Sequence, residues 1–221
     1  MSSTAKQSFD DNINDVTRLL QLHSKEGGKG TGRRHGLEVL NKSAIVLITA
    51  YWEAYCEDVA AEALKHILRH AKSSDGLPME LRKKIAKEVK GALNDLEVWK
   101  LSGSGWKSYL TNRLATLQEE RNRKLNTPKA GNIDDLFVEA LGISKISSSW
   151  RWQGMSTDQT VQKLDEYVTL RGDIAHRGKH SKSIRRSKVE DFLNFAKLLA
   201  EKTDGNVNTN VKQVTKGKAL W

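Results

Sequence analysis

"LEVLNKSAIVLITAYWEAYCEDVAAEALKHILRHA", residues 37–71, is the longest apolar segment of the chain and contains neither glycine nor proline. Its pattern is helical, and its centre is apolar around nearly the whole circumference. A helix of that kind is buried on most sides, so other helices must cover it. Only two prolines occur in 221 residues, which leaves little to interrupt helices elsewhere. The expected fold is all-α, a helical bundle around one long buried central helix. Inside that apolar centre sits Glu53, flanked by Trp52 and Tyr55. An ionised carboxylate there needs a cation or several donors, because burying an uncompensated charge is costly.

The flanking segments supply the cover. Phe9, Ile13, Val16 and Leu20 recur at helical spacing and predict a helix over about 8–24. "EGGKGTGRR" breaks it with four glycines and three cations. With no strand before it and no Gly-Lys-Ser/Thr ending, this is a flexible basic loop at 27–34 rather than a phosphate loop. Pro78 opens a helix expected over 78–100, with Leu81, Ile85, Val89, Leu93 and Leu96 on its inner face. A further helix is expected over 106–124, with Tyr109, Leu110, Leu114 and Leu117 inward and a basic end at Arg121, Arg123 and Lys124. A short one over 133–141 stops at Gly142, and "ISKISSSWRWQGMS" reads as a loop carrying Trp150 and Trp152.

A helix beginning near Thr157 uses Val161, Leu164, Val168 and Ile174 inward, with Gly178 as its C-terminal cap. The last helix is expected to open on a capping box, Ser187 to Glu190, and to bury Phe192, Phe195, Leu198 and Leu199. From residue 204 the chain is polar and basic, so the domain is drawn as 1–203 followed by a mobile tail, 204–221.

The net charge of +10 suggests a polyanionic partner, because clustered Lys and Arg release counterions from phosphates. Cys56 is the sole cysteine; it rules out an internal disulfide framework, fits a reducing compartment and reads as a small core residue. No signal-peptide core and no run of about 18 apolar residues is present, so a cytoplasmic location with no membrane partner is expected.

One constellation carries chemistry. "TLRGDIAHRGKH", residues 169–180, places Arg171 and His176 five residues apart at the end of a helix. At 100° per residue they differ by about 140° around the axis, so they do not share a face neatly. Both can border a wide groove, or a second copy of the helix across a two-fold axis can bring arginine and histidine of both chains together. Histidine moves protons near neutrality and can serve a 2′-hydroxyl or a leaving 5′-oxygen. Arginine can hold phosphate oxygens as negative charge develops. The pair therefore suits RNA cleavage needing no metal and no other cofactor. Arg177, Lys179, Lys182, Arg185, Arg186 and Lys188 follow at once and form a candidate track for an RNA backbone. On spacing alone, the better explanation is that cations near a helix C-terminus are simply favoured by its dipole.

Lesser candidates fall away. His66 and His70 have a spacing that can hold a metal, but no third ligand is evident and they read as surface histidines. Arg171-Gly172-Asp173 matches an adhesion tripeptide by chance, in a helical context.

"RGDIAHRG" near the end of a mostly helical chain resembles the Arg-x4-6-His motif of the HEPN superfamily. In order, "AYWEAYCEDV", "NTPKAGNIDDLFVEALGI" and "LRGDIAHRG" resemble the RiboL-PSP-HEPN branch, spanning most of residues 8–200. The resemblance implies a HEPN-like helical bundle that dimerises so that two motifs form one composite site. It implies a metal-independent endoribonuclease of toxin or phage-defence type, leaving a 2′,3′-cyclic phosphate or its opened form. An antitoxin or defence-system partner is then expected beside RNA and the second copy. Arg171 and His176 are the motif residues, and Glu53 matches the acidic position of the earlier helix, expected to pair with Arg171 and orient it. The sequence departs from the pattern at Gly172, where many active members carry a polar residue such as Asn or Asp. The alternative is a non-catalytic module binding RNA, nucleotide or a partner protein, in which Glu53, Arg171 and His176 form a structural network. A DNA-binding module ranks last, since no recognition-helix motif is present.

Overall fold

The computed structural model describes residues 1–26, 37–119, 125, 127–177 and 183–221, with residues 176 and 177 described by their backbone alone. Seven α-helices run through the described residues, with no strand: α1 (Thr4–Glu26), α2 (Glu38–His70), α3 (Met79–Lys90), α4 (Trp106–Glu119), α5 (Ala130–Leu141), α6 (Thr157–Arg177) and α7 (Arg186–Val214). Three short 3-10 turns lie at Ser74–Gly76, Asp95–Leu101 and Ile146–Ser149.

The 33-residue α2 is the axis of the bundle, about 50 Å long. It packs against α1, α4, α5, α6 and α7. Ile45, Ile48, Trp52, Cys56, Val59, Ala60, Ala63 and Leu64 on it are sealed from solvent. An all-round apolar helix can be stable in water only in such a setting, so the expectation from residues 37–71 is met. α1 buries Phe9, Ile13, Val16 and Leu20 as its spacing requires. It starts earlier than expected, because its first amides have tertiary partners: Thr4 and Ala5 donate to the Glu62 carboxylate at 3.1 and 2.9 Å. Lys6 N donates to Ser3 Oγ at 3.0 Å.

Four expectations about helix ends and faces need correction. α3 stops at Lys90 rather than near residue 100. Asn94 accepts a hydrogen bond from Leu96 N at 2.9 Å, a local bond that competes with continued helix; the 3-10 turn follows, and Leu93 and Leu96 are exposed instead of inward. α5 begins at Ala130, three residues before Ile133, because Asp165 of α6 accepts from Ala130 N at 3.0 Å. The capping box at Ser187 and Glu190 does not form: the cap residue is Arg185, and Glu190 instead accepts from Arg186 Nε at 2.8 Å. Leu198, expected inside, is exposed. A capping box does occur one helix earlier, where Gln159 N donates to Ser156 Oγ at 3.3 Å and Ser156 N to Gln159 Oε1 at 2.9 Å.

The boundary drawn at 203/204 is not a break in the chain's structure. α7 continues to Val214 and buries Val207, Val211 and Val214. Asp204 itself is buried and central: its carboxylate accepts from Ser3 N and Oγ, and from the Tyr55 hydroxyl at 3.4 Å. Tyr55 also donates to Ala200 O at 2.9 Å. Burial pushes the Asp204 carboxyl up, against the lowering effect of Ser3 and Tyr55. Three helix segments are thereby joined by groups that a local reading assigns to a polar tail.

The "SSSWRW" loop is structural as well. Trp150 is fully buried, donates from Nε1 to Thr203 Oγ1 at 2.9 Å, and meets Trp52 edge-on at 5.9 Å. Trp152 lies 5.8 Å from the Phe195 ring. The loop is reached through Gly142, which ends α5 at φ +73°, with Gly142 N donating to Val138 O at 3.0 Å and Ile143 N to Phe137 O at 3.2 Å. A Cβ there would approach Leu81 N to 2.8 Å and Leu81 Cβ to 2.9 Å. Gly142→Ala is therefore expected to destabilise the protein by about 2–3 kcal/mol, read as a lowered midpoint in urea. An unchanged midpoint would mean that α5 and α3 can separate freely at this point.

Candidate functional site

Glu53 lies midway along α2, and Arg171 lies on the last third of α6. The two helices pack together, and the Arg171 charge acts on the Glu53 carboxyl. Glu53 is half-buried. Its pKa is pushed from 4.5 up to about 7, first by burial and second by the charge of Glu57, with Arg171 working in the opposite direction. Glu57 is buried, one helical turn beyond Glu53. It was not singled out from the sequence, although the i, i+4 spacing that puts both carboxylates on one face was there to find. Arg171 is partly buried, and its Nε is shut off from solvent with no hydrogen-bond partner among the described residues.

The site thus brings together a charged guanidinium with an unused buried donor and two carboxylates in a setting that disfavours their joint ionisation. At neutral pH Glu53 is poised between its neutral and charged forms. Next to it in sequence, Trp52 packs between Tyr55, tilted at 5.7 Å, and Trp150, edge-on at 5.9 Å. Between the two glutamates Cys56 is fully buried, and burial together with both carboxylates pushes its thiol up. It is a core residue, not a nucleophile.

His176 is on the α6 backbone near the helix end, five residues past Arg171. Its side chain lies outside the described residues, as do the Arg177 side chain, Lys179 and Lys182, the 27–34 loop, the Gly178 cap and the basic end at Arg121, Arg123 and Lys124. Of the remaining candidate track, Arg185 and Lys188 are exposed at the start of α7, with Lys188 Nζ 5.8 Å from the Tyr167 ring centre. Arg186 is occupied in the fold, bonding Glu190 and the Ser24 hydroxyl and so tying α7 to α1. The segment entering α7 is fixed to α2, where Asn41 Nδ2 donates to Ile184 O at 2.8 Å.

The family model described as RiboL-PSP-HEPN matches residues 10–208. The chain belongs to the RiboL-PSP-HEPN family. Neither a curated protein nor a solved structure matches it. The family match runs from α1 through most of α7, so this HEPN chain is an all-α domain whose matched region extends past residue 203. Glu53 and the stretch Arg171–His176 both fall within it. Among the described residues no helix is long and apolar enough to cross a membrane, and no group of three His, Cys, Asp or Glu side chains could hold a metal ion.

The raised Glu53 pKa has a consequence for stability. A carboxyl that binds its proton more tightly when folded contributes stability below its unfolded pKa, and that stability is lost as pH rises through the folded value. Wild type is expected to lose stability between about pH 4.5 and 7 through this group. In Glu53→Gln this part of the pH dependence should disappear, as measured by urea unfolding at intervals from pH 4.5 to 8. Parallel curves for the two proteins would mean that Glu53 is not held in this environment.

Proposed function

We propose that this HEPN chain is a homodimeric, metal-independent endoribonuclease whose composite site takes Arg171 and His176 from both copies. The observation that carries this reading is Arg171: a guanidinium set against Glu53 at the α2–α6 contact, with a buried Nε that no described residue uses, on the helix that ends with His176. Family membership supports the nuclease class. So does the positive charge of the chain, which suits a phosphodiester substrate.

The chemistry follows from the residue types. The 2′-hydroxyl attacks the adjacent phosphorus, the bond from phosphorus to the 5′-oxygen breaks, and a 2′,3′-cyclic phosphate and a 5′-hydroxyl result. His176 of one copy takes the 2′-hydroxyl proton, and a histidinium from the other can protonate the departing 5′-oxygen; such transfers are typically worth about 10²–10⁴-fold each. Arg171 binds the non-bridging oxygens as their charge grows, an interaction stronger in the transition state than in the ground state. Glu53 orients Arg171 and, sitting near neutrality, avoids fixing a full negative charge beside the phosphate. Arg177, Lys179, Lys182, Arg185 and Lys188 guide the strand. Toxin or phage-defence use, with a protein that restrains the activity, is the setting in which such a cleavage is expected.

Purified wild type should cut mixed cellular RNA in EDTA and migrate at twice the 24.8 kDa chain mass. His176→Ala and Arg171→Ala, prepared identically, should each lower cleavage by at least about 100-fold. Undiminished cleavage in both would remove these residues from catalysis. RNA bound but never cut by wild type would favour the non-catalytic HEPN module instead. At Gly172 an added Cβ meets nothing within 4 Å, so Gly172→Asn should fold and, by supplying the missing polar group beside Arg171, raise the cleavage rate. A lower rate in a correctly folded Gly172→Asn protein would count against a role for that position.

A further inference from the structure

A second charged feature lies at the far end of α2, about 25 Å along the helix from Glu53, seventeen residues at 1.5 Å each. There the C-terminal turn of α2, the loop leading into α4 and the segment after α7 enclose a cleft of about 670 Å³. Arg69, Lys72, Lys107, Lys216 and Lys218 line it, and no carboxylate does. None of the five forms an ion pair with a described carboxylate. Arg69, Lys72, Lys216 and Lys218 are exposed.

The dipole at the end of α2 amounts to only about half a negative charge, and Arg69 and His70 in its last turn suffice to balance it. The four lysines are in excess of that need. Their positions are also held by specific structure. Lys107 Nζ donates to Leu68 O at 3.0 Å, which leaves two of its three donors for another acceptor. Lys216 adopts φ +54°, a backbone region that residues with a side chain rarely enter. It is kept there by Gly217 N donating to Lys212 O at 2.8 Å and by Thr215 Oγ1 donating to Lys218 O at 2.6 Å. His66, whose ring lies 4.4 Å from that of His70 and 3.3 Å from Lys218 O, is held below its ordinary pKa by burial first, then by His70. Cations gathered from three separate chain segments repel one another until a polyanion arrives.

We propose that this cleft holds the phosphodiester backbone of RNA, as a second contact region distinct from Arg171 and Glu53. Of the two rings lining the cleft, Trp106 is buried and offers no open face for base stacking, and His70 is exposed with its ring 4.4 Å from that of His66. The available groups are ammonium and guanidinium donors, which read phosphates without regard to sequence. The inference rests on RNA being the ligand of this chain, not on its being cut.

The test uses the full chain with His176→Ala, so that bound RNA stays intact, and a labelled 20-nucleotide single-stranded RNA followed by fluorescence anisotropy across salt concentrations. Adding Lys72→Gln and Lys218→Gln should weaken binding about tenfold at 0.15 M salt and reduce the slope of log K against log salt by about 1.4, two phosphate contacts at about 0.7 each. A control pair on α3, Lys87→Gln with Lys90→Gln, removes the same charge from exposed sites that do not line the cleft, and should leave affinity within about twofold. Equal losses in the two pairs, no loss in the cleft pair, or no RNA binding at all would overturn the proposal. So would a loss confined to phosphatidylserine vesicles, which would assign the cleft to a lipid surface. Absence of cleavage by wild type bears only on the nuclease reading, whereas unaltered binding by the cleft variant bears only on this one.

Discussion

The structure depends on burying α2 around most of its circumference while Glu53 and Glu57 sit in its middle. An apolar helix of 33 residues cannot remain in water, so five other helices are drawn against it. That same burial leaves Glu53 and Glu57 in a poorly solvated strip, where desolvation and the Glu57 charge one turn away both raise the Glu53 pKa. The α6 arginine is the cation that this strip calls for. Fold and candidate chemistry are therefore linked: the packing that stabilises the domain also brings Glu53 close to neutrality and places Arg171 beside it.

The balance at this site is instructive. If Arg171 fully compensated Glu53, the carboxyl would lie below its ordinary pKa; instead it stands at about 7, because desolvation and Glu57 outweigh the arginine. The guanidinium Nε is buried and has no hydrogen-bond partner among the described residues.

Much of this was legible along the chain. The central helix, the inner face of α1, the core role of Cys56 and the family itself all follow from periodicity and from ordered family resemblance. Misreadings cluster where a specific side-chain bond, local or from a distant segment, overrides the helical spacing. Leu93 and Leu96 continue the helical spacing of α3, yet Asn94 turns the chain before they can face inward. Glu190 has the spacing for a capping box, yet Arg186, held by Ser24 of α1, captures it. Residues 204–214 are polar enough to read as a tail, yet Ser3 and Tyr55 give Asp204 the partners that make its burial tolerable.

By itself, then, the sequence determined the helical class, the identity of the buried axis and the residue types able to handle a phosphodiester. Local spacing and hydrophobicity suffice for these, since each is a property of one helix. Tertiary structure alone decided that Arg171 keeps a free buried donor, that the last helix runs on to Val214 and that lysines from three segments converge at the end of α2. Such outcomes arise from burial and from charges meeting across helices, and the distances that set them do not exist until the bundle has formed.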